Sequence, residues 1–125
     1  MEYKKHYSQM TKDEADYVLN AVRSNQKFKM HKHAIERMFQ KNITIKAIAE
    51  TVVKGSVIEV NNNRNDIRVL LTKRVGNERC CVVVGLKSRE VITCYWNDAT
   101  DDNRSIDMTR YTWNVNLKNV VKSTY

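Results

Sequence analysis

The sequence predicts an α+β domain, in which N-terminal helices pack on one face of an antiparallel sheet of three to five strands. Apolar residues recur at helical spacing as far as Val53, and from Val57 onward they follow the shorter period of strands. Short polar turns separate the later apolar segments, as they do in an antiparallel meander. The 125 residues suit one domain with its own hydrophobic core.

Three helices are predicted in the first half of the chain. Thr11 and Glu14 have the spacing of a capping box, which marks the start of the first helix. Asn42 suits a helix end, Thr44 suits the cap of the next helix, and Gly55 stands where a C-terminal glycine belongs. The predicted helices cover residues 11–24, 32–42 and 44–55.

Four strands are predicted after the helices, with polar turns between them. The third contains the nearly continuous apolar run RCCVVVGL, which is typical of a central strand covered on both faces. The predicted strands cover residues 57–60, 67–75, 79–86 and 91–96.

The remaining segments are less regular. Residues 1–10 are predicted to be irregular, and 27–30 fit either a short strand or an extended lead-in. Residues 97–110 form a polar, acid-rich segment that is predicted to be a loop. The last segment, 111–125, alternates at first and then carries apolar residues at helical spacing, so both a strand and a helix are open there.

The charge of the chain points to a polyanionic partner. Lys and Arg number 22 against 14 Asp and Glu, a formal net charge of +8, which favours contact with nucleic acid. No apolar run approaches the ~20 residues that span a bilayer, and the first residues lack the apolar core of a signal peptide. A cytoplasmic protein with no membrane partner is therefore expected.

No metal site and no cofactor are predicted. The HxH spacing of His31 and His33 suits a metal, but no third or fourth ligand is evident. The cysteines, Cys80, Cys81 and Cys94, lack a CxxC spacing and are interpreted as buried structural thiols. Because Cys80 and Cys81 are adjacent on a predicted strand, they are expected to point to opposite faces of the sheet.

The stretch His33–Glu36–Arg37 could carry chemistry on one face of the second helix, because residues three and four apart are neighbours there. RNA cleavage needs a base for the 2′-hydroxyl, a cation at the phosphate and an acid for the leaving oxygen. His33 could be base or acid, Arg37 the phosphate clamp and Glu36 an orienting group. The alternative is the solvated face of an ordinary amphipathic helix.

A basic hairpin offers further phosphate contacts. Arg68 and Arg74 are expected on one side of a strand with Lys73 on the other, and Arg79 on the partner strand near them. Tyr95 could stack on a base or belong to the core. The alternative for the hairpin is a solvated edge whose charges discourage aggregation. The candidate nucleic-acid-binding residues are Lys29, Lys32, Arg68, Lys73, Arg74 and Arg79.

Three motifs in order, H-x-x-E-R at His33, VVKGSVIE ending at Glu59 and VITCYW with Thr93 and Tyr95, resemble a bacterial family related to RelE and BrnT. The resemblance covers residues 28–96. It implies a RelE-like, microbial-ribonuclease-like fold and toxins that cut RNA without a metal, with His33, Glu36, Arg37 and Tyr95 as candidate catalytic residues. The single domain 1–125 would then have an extra helix at 11–24, a core at 27–96 and an acidic extension at 97–125.

Two functions from different classes follow. The first is a metal-independent endoribonuclease of toxin type that acts on RNA, with an antitoxin as a possible partner. The second is a non-catalytic phage or mobile-element protein on the same scaffold, which inhibits a host nucleoprotein complex of the restriction or CRISPR kind. The second function would use Asp98, Asp101 and Asp102 to imitate phosphates or meet a basic protein.

Overall fold

The computed structural model describes residues 3–24, 27–63, 65–100 and 115–124, which form an α+β fold with one six-stranded mixed sheet and four α-helices. The strands are β1 (Lys4–His6), β2 (Lys29–Met30), β3 (Ser56–Asn63), β4 (Asp66–Val75), β5 (Glu78–Gly85) and β6 (Glu90–Asp98). The helices are α1 (Lys12–Val22), α2 (Lys32–Lys41), α3 (Ile45–Lys54) and α4 (Leu117–Thr124).

The sheet has more strands than predicted, and it is mixed rather than antiparallel. Its order is β1-β3-β4-β5-β6-β2, and β2 runs parallel to β6 while the other neighbours are antiparallel. The strand that the sequence does not predict is the edge β1, in the segment expected to be irregular, whereas β2 confirms the short strand that 27–30 allowed. A strand of three residues carries too few alternating residues for a hydrophobic period to mark it.

The pairing register sorts the side chains onto two faces of the sheet. On one face Leu71 lies opposite Val82, which lies opposite Cys94, and all three are buried in the main core. On the other face Thr72 lies opposite Cys81, which lies opposite Tyr95. We call these the helix-covered face and the second face.

The described helices pack on the helix-covered face. Helix α2 lies against β6, where the Cys94 thiol contacts the Ala34 carbonyl, and the Trp96 indole N–H donates to the Lys41 carbonyl at 2.8 Å. Helix α3 lies over β4 and β5. Helix α4 packs against α1, and its Leu117 and Val121 complete the core. Within 111–125 the structure therefore has a helix at Leu117–Thr124, and residues 111–114 and 125 lie outside the described residues.

The residues predicted to begin and end the helices do so in the structure, but Gly55 is required for a different reason than the one predicted. The Thr11–Glu14 capping box is present, Asn42 ends α2 with a φ of 57°, and the Thr44 hydroxyl accepts the Ala47 N–H at 3.1 Å. Gly55 has a φ of −74°, so left-handed backbone is not what requires it. A Cβ there would collide with the carbonyl oxygens of Thr51 and Thr72, so glycine is needed for close packing of α3 on the sheet.

A buried ion pair joins both ends of the described chain to α1. The Lys5 ammonium donates to the two carboxylate oxygens of Glu14 at 2.9 and 2.8 Å and to the Val115 carbonyl at 2.7 Å. The Leu117 N–H donates to the same carboxylate at 2.9 Å. Burial by itself raises the pKa of Glu14, but the hydrogen bonds from Lys5, Leu117 and Thr11 bring the pKa below its ordinary value of 4.5.

We predict that Glu14→Gln lowers the free energy of unfolding by about 3 kcal/mol at pH 7, because it leaves the buried Lys5 ammonium without its counter-charge. Because the folded pKa of Glu14 is lowered, its contribution is fully present above pH 4.5 and is lost as the pH falls through the folded value. Urea unfolding of both proteins from neutral pH to well below the ordinary value of 4.5 measures the difference.

Asp16→Asn is the matched control, because it removes a carboxylate of the same helix whose partner Lys12 is exposed. That change should cost less than about 0.5 kcal/mol. Equal losses for the two variants would show that the buried pair does not hold the termini.

Candidate functional site

The second face collects three of the predicted nucleic-acid-binding residues. Arg68 and Arg74 lie on this face of β4, as predicted, and Arg79 lies on it from β5, directly opposite Arg74. Lys73 points to the helix-covered face, where its ammonium lies 3.7 Å from the Glu50 carboxylate of α3. The predicted cation set is therefore divided between the two faces.

Arg74 and Arg79 form a cross-strand pair of like charges. The Nε–H of Arg74 donates to the Gly76 carbonyl at 3.0 Å, and that of Arg79 donates to the Ala99 carbonyl at 3.0 Å. Among the described residues no carboxylate forms an ion pair with either guanidinium. Like charges opposite each other destabilise a sheet, so an anion between them would relieve a repulsion.

His33 and Arg37 are brought together, as the helix spacing predicts. The Arg37 Nε–H donates to His33 Nε2 at 3.4 Å, a long bond, and His33 is exposed. Glu36 and Lys32 are exposed on the same helix, while Lys29 is exposed on β2. Since α2 packs on the helix-covered face, the His33–Arg37 pair lies in a different layer from the arginines of the second face.

Tyr95 lies on the second face, and the partly buried Trp96 packs against the main core, as expected for neighbours on a strand. The half-buried Tyr95 ring packs with Val83 against a small apolar cluster of Ile58, Leu70 and Cys81. The structure therefore places Tyr95 apart from His33, Glu36 and Arg37. Of the other residues in the resembling motifs, Thr93 lies on this face opposite Val83, and Glu59 lies on it 3.4 Å from the Lys4 ammonium.

A cleft of about 550 Å³ opens at one corner of the second face, beside the β2 edge. Segments that are far apart in the sequence meet there: the end of β2, the start of β4, and the β5–β6 turn with the start of β6. The lining residues are His31, Asn65, Asp66, Arg68, Lys87, Ser88, Glu90 and Ile92. Apart from Arg68, these residues are not in the site predicted from the sequence.

The floor of the cleft depends on Gly85. Arg68, Gly85 and Glu90 are consecutive partners across β4, β5 and β6, so glycine separates the guanidinium from the carboxylate. A Cβ on Gly85 would collide with the Asp66 carboxylate and the Ser88 hydroxyl. The Asp66 carboxylate cannot move away cheaply, because one oxygen accepts the backbone N–H groups of residues 67 and 87 at 2.9 and 2.8 Å.

The turn that carries Lys87 and Ser88 is anchored to α1. Arg89, with a φ of 55°, is buried below this turn, and its guanidinium donates to the carbonyls of Ala21 and Val22 at 3.1 Å each. Arg89 thereby satisfies carbonyls at the end of α1 that have no partner within the helix. The rigid placement of the turn follows from this side chain.

Three charged groups of the cleft are held without ion-pair partners. No ion pair or hydrogen bond joins the side chain of Arg68, Lys87 or Glu90 to another described residue. The Nε of Arg68 is moreover buried without a hydrogen-bond acceptor among the described residues. A buried donor with no partner costs about 1–3 kcal/mol, so a bound acceptor at this Nε would recover that free energy.

His31 is oriented by the start of α2. Its Nδ1 accepts the backbone N–H of His33 at 3.1 Å, which makes His31 the N-cap of the helix. In a neutral ring this contact places the proton on Nε2, so the imidazole offers an N–H donor beside the cleft. The spacing of His31 and His33 was noted in the sequence, but of these two histidines only His31 lines the cleft.

The remaining candidate residues divide into described and undescribed ones. Asp98 is exposed at the end of β6, where hydrogen bonds from the Thr100 hydroxyl and N–H lower its pKa. Asp101 and Asp102 lie outside the described residues, as does most of 97–110. The thiols are buried, and burial raises the pKa of Cys80 and raises that of Cys94 to about 11, as suits structural thiols.

Two properties of the described residues bear on the class of function. Within them, no group of three or more His, Cys, Asp or Glu side chains is arranged to hold a metal ion. Nor does any helix in the described ranges have the length and apolar character to cross a membrane.

One family model matches the chain. It is the domain of unknown function DUF4258, and the match covers residues 30–96, more than half of the chain. No curated protein and no solved structure matches. The resemblance to RelE and BrnT toxins stays a prediction. The matched range includes α2, α3, β3 to β5, all but the last two residues of β6, and all residues that line the cleft.

We predict that Gly85→Ala destabilises the protein by about 1–3 kcal/mol, because the added methyl group overpacks the cleft floor. The backbone amide signal of Lys87 should shift most, since its N–H donates to the displaced Asp66 carboxylate. Urea unfolding and a ¹H–¹⁵N correlation spectrum measure the two effects.

Ser88→Ala is the companion variant. It should be nearly neutral alone and should recover part of the loss when combined with Gly85→Ala, because it removes one of the two colliding groups. A Gly85→Ala protein with wild-type stability and an unmoved Lys87 amide would contradict the packing described for this floor.

Proposed function

The chain belongs to the DUF4258 family, and we propose that it is a metal-independent endoribonuclease that acts on RNA in the cytoplasm, in the manner of a bacterial toxin. The observation that carries the proposal is the placement of Arg68, Arg74 and Arg79 on the sheet face opposite the described α-helices. Phosphate groups are the partners that such unpaired guanidinium groups recognise best.

The dimensions of this face suit a polynucleotide. Arg68 and Arg74 are six residues apart on one strand, which corresponds to about 20 Å. A cation at each end can contact well-separated phosphates of one strand, and the net charge of +8 adds long-range attraction. The half-buried Tyr95 lies between the two ends, where its exposed part is available to a base.

Cleavage without a metal requires only groups that this chain holds at its surface. A base removes the 2′-hydroxyl proton, cations stabilise the charge that develops on the phosphate, and an acid protonates the leaving 5′-oxygen. The predicted His33–Arg37 pair offers an imidazole and a guanidinium, but in the helix layer. The second face offers carboxylates and cations together, so we favour it as the surface where RNA binds.

A specific observation favours the second candidate function, inhibition of a host nucleoprotein complex by binding. Phe39 is 82% exposed on α2, and Ile45 and Val53 are 57% and 60% exposed on α3. Exposed apolar side chains of this size are common at protein–protein interfaces. An antitoxin could use the same side chains, so a bound protein alone does not distinguish the two functions, whereas RNA cleavage does.

The test is incubation of purified protein with a defined single-stranded RNA in excess EDTA. We predict cleavage to products with 2′,3′-cyclic phosphate ends, because a 2′-hydroxyl attack leaves that group. Arg74→Ala/Arg79→Ala should bind RNA more weakly and reduce the slope of log affinity against log salt by about 1.4, from the loss of two phosphate contacts.

Lys46→Ala/Lys54→Ala is the control, because it removes two exposed positive charges of α3 from the helix layer. It should leave the salt slope unchanged within about 0.5, because these two charges are distant from the second face and are screened by salt. RNA that stays intact would refute the proposed ribonuclease function. Equal salt slopes for the two double variants would refute the second face as the RNA-binding surface.

A further inference from the structure

The cleft at the corner of the second face holds a combination of groups that structural needs do not explain. It brings Arg68, Lys87 and Glu90 into one opening of about 550 Å³, and none of them forms an ion pair with a described residue. Opposite charges in a folded protein ordinarily approach one another when side chains permit. Here Gly85 and the floor of Asp66 and Ser88 keep the guanidinium of β4 and the carboxylate of β6 apart.

We propose that this cleft is the site where a phosphodiester group of RNA is bound and cleaved, an assignment that rests on the proposed ribonuclease function. Arg68 and Glu90 are separated by two strand spacings, about 10 Å between their Cα atoms. A phosphate between them can accept hydrogen bonds from the Arg68 guanidinium and the His31 Nε2–H. The partnerless Nε of Arg68 then acquires an acceptor.

The residues divide the reaction between them. Glu90 takes the proton of the ribose 2′-hydroxyl as that oxygen attacks the phosphorus. Arg68 and the His31 N–H stabilise the charge on the phosphoryl oxygens. The bond from phosphorus to the 5′-oxygen breaks, and the Lys87 ammonium supplies the proton that this oxygen takes up. The products are a 2′,3′-cyclic phosphate and a 5′-hydroxyl, and proton exchange with water restores Glu90 and Lys87.

His31 acts as a donor rather than as the base in this assignment. Its Nδ1 is occupied by the His33 N–H, and a neutral ring then has no free lone pair on Nε2. Removal of the ring by alanine would also remove the helix cap. Asparagine at position 31 can cap the helix without an imidazole, so His31→Asn separates the two roles.

The first arm of the test measures cleavage by single turnover. Glu90→Gln and His31→Asn should each lower the rate constant at least 100-fold, because they remove the base and a donor to the transition state. The matched control is Glu50→Gln, which makes the same change to a partly exposed glutamate of α3 in the helix layer. Its rate should stay within threefold of wild type. A Glu90→Gln protein that cleaves at the wild-type rate overturns the assignment.

The second arm does not depend on activity. Uridine 3′-monophosphate is titrated into isotopically labelled protein, and the NMR signals of the Arg68 Nε–H and of the histidine rings are followed. Uridine, which lacks the phosphate, is titrated as the control. The Arg68 and His31 signals should move with the phosphate probe alone, and the His33 signals should stay. Movement of His33 and Arg37 instead, or of none of these signals, overturns the assignment.

The Arg68→Gln variant separates binding from folding. Because the Arg68 Nε is buried without a partner, its removal should leave Tm unchanged or raise it while the phosphate-dependent shift disappears. A fall in Tm would show that Arg68 is structural. If wild-type protein fails to cut RNA, the ribonuclease proposal fails, and the titration decides alone whether the cleft holds a phosphate.

Discussion

The pairing of β4 with β5 is the constraint on which the rest of the structure depends. In the observed register Leu71 meets Val82 under the helices, and Arg74 meets Arg79 on the second face. A slip of one residue would bring arginines into the core and expose the valines, so the hydrophobic effect selects this register strongly. The helices α2 and α3 can cover one face because that face is apolar along β4, β5 and β6.

The same register creates polar corners around an apolar centre. Leu70 and Cys81 are buried in the middle of the second face, whereas the cations lie toward its ends. At one end the glycine of β5 leaves room for the cleft, and at the other the two opposed arginines remain. The histidine–arginine pair of α2 belongs to the other layer. The fold thus places the His33–Arg37 pair and the cations of the second face in different layers. The two sets could act on one RNA molecule only if that RNA contacted both layers.

Local patterns predicted the parts of this structure that local interactions determine. The Thr11–Glu14 capping box and the left-handed backbone of Asn42 involve only residues that are close in sequence. The shared face of Arg68 and Arg74 follows from the alternation of side chains along a strand. Val91 lies in the core while Thr93 and Tyr95 lie on the second face, because a register shift in β6 breaks the strict alternation of the strand. The cleft could not be predicted, because it needs β2 beside β6 and a turn anchored by Arg89.

The central claim is that RNA binds to the second face, with its reactive phosphate in the corner cleft. Hydrogen–deuterium exchange in the presence of a short oligonucleotide that is 2′-deoxy at each position, and so cannot be cleaved, tests it most directly. The account predicts slower exchange in β4, in the β5–β6 turn and at the junction of β2 and α2, with little change in α3. Protection confined to the exposed side of α2 and α3 would contradict it.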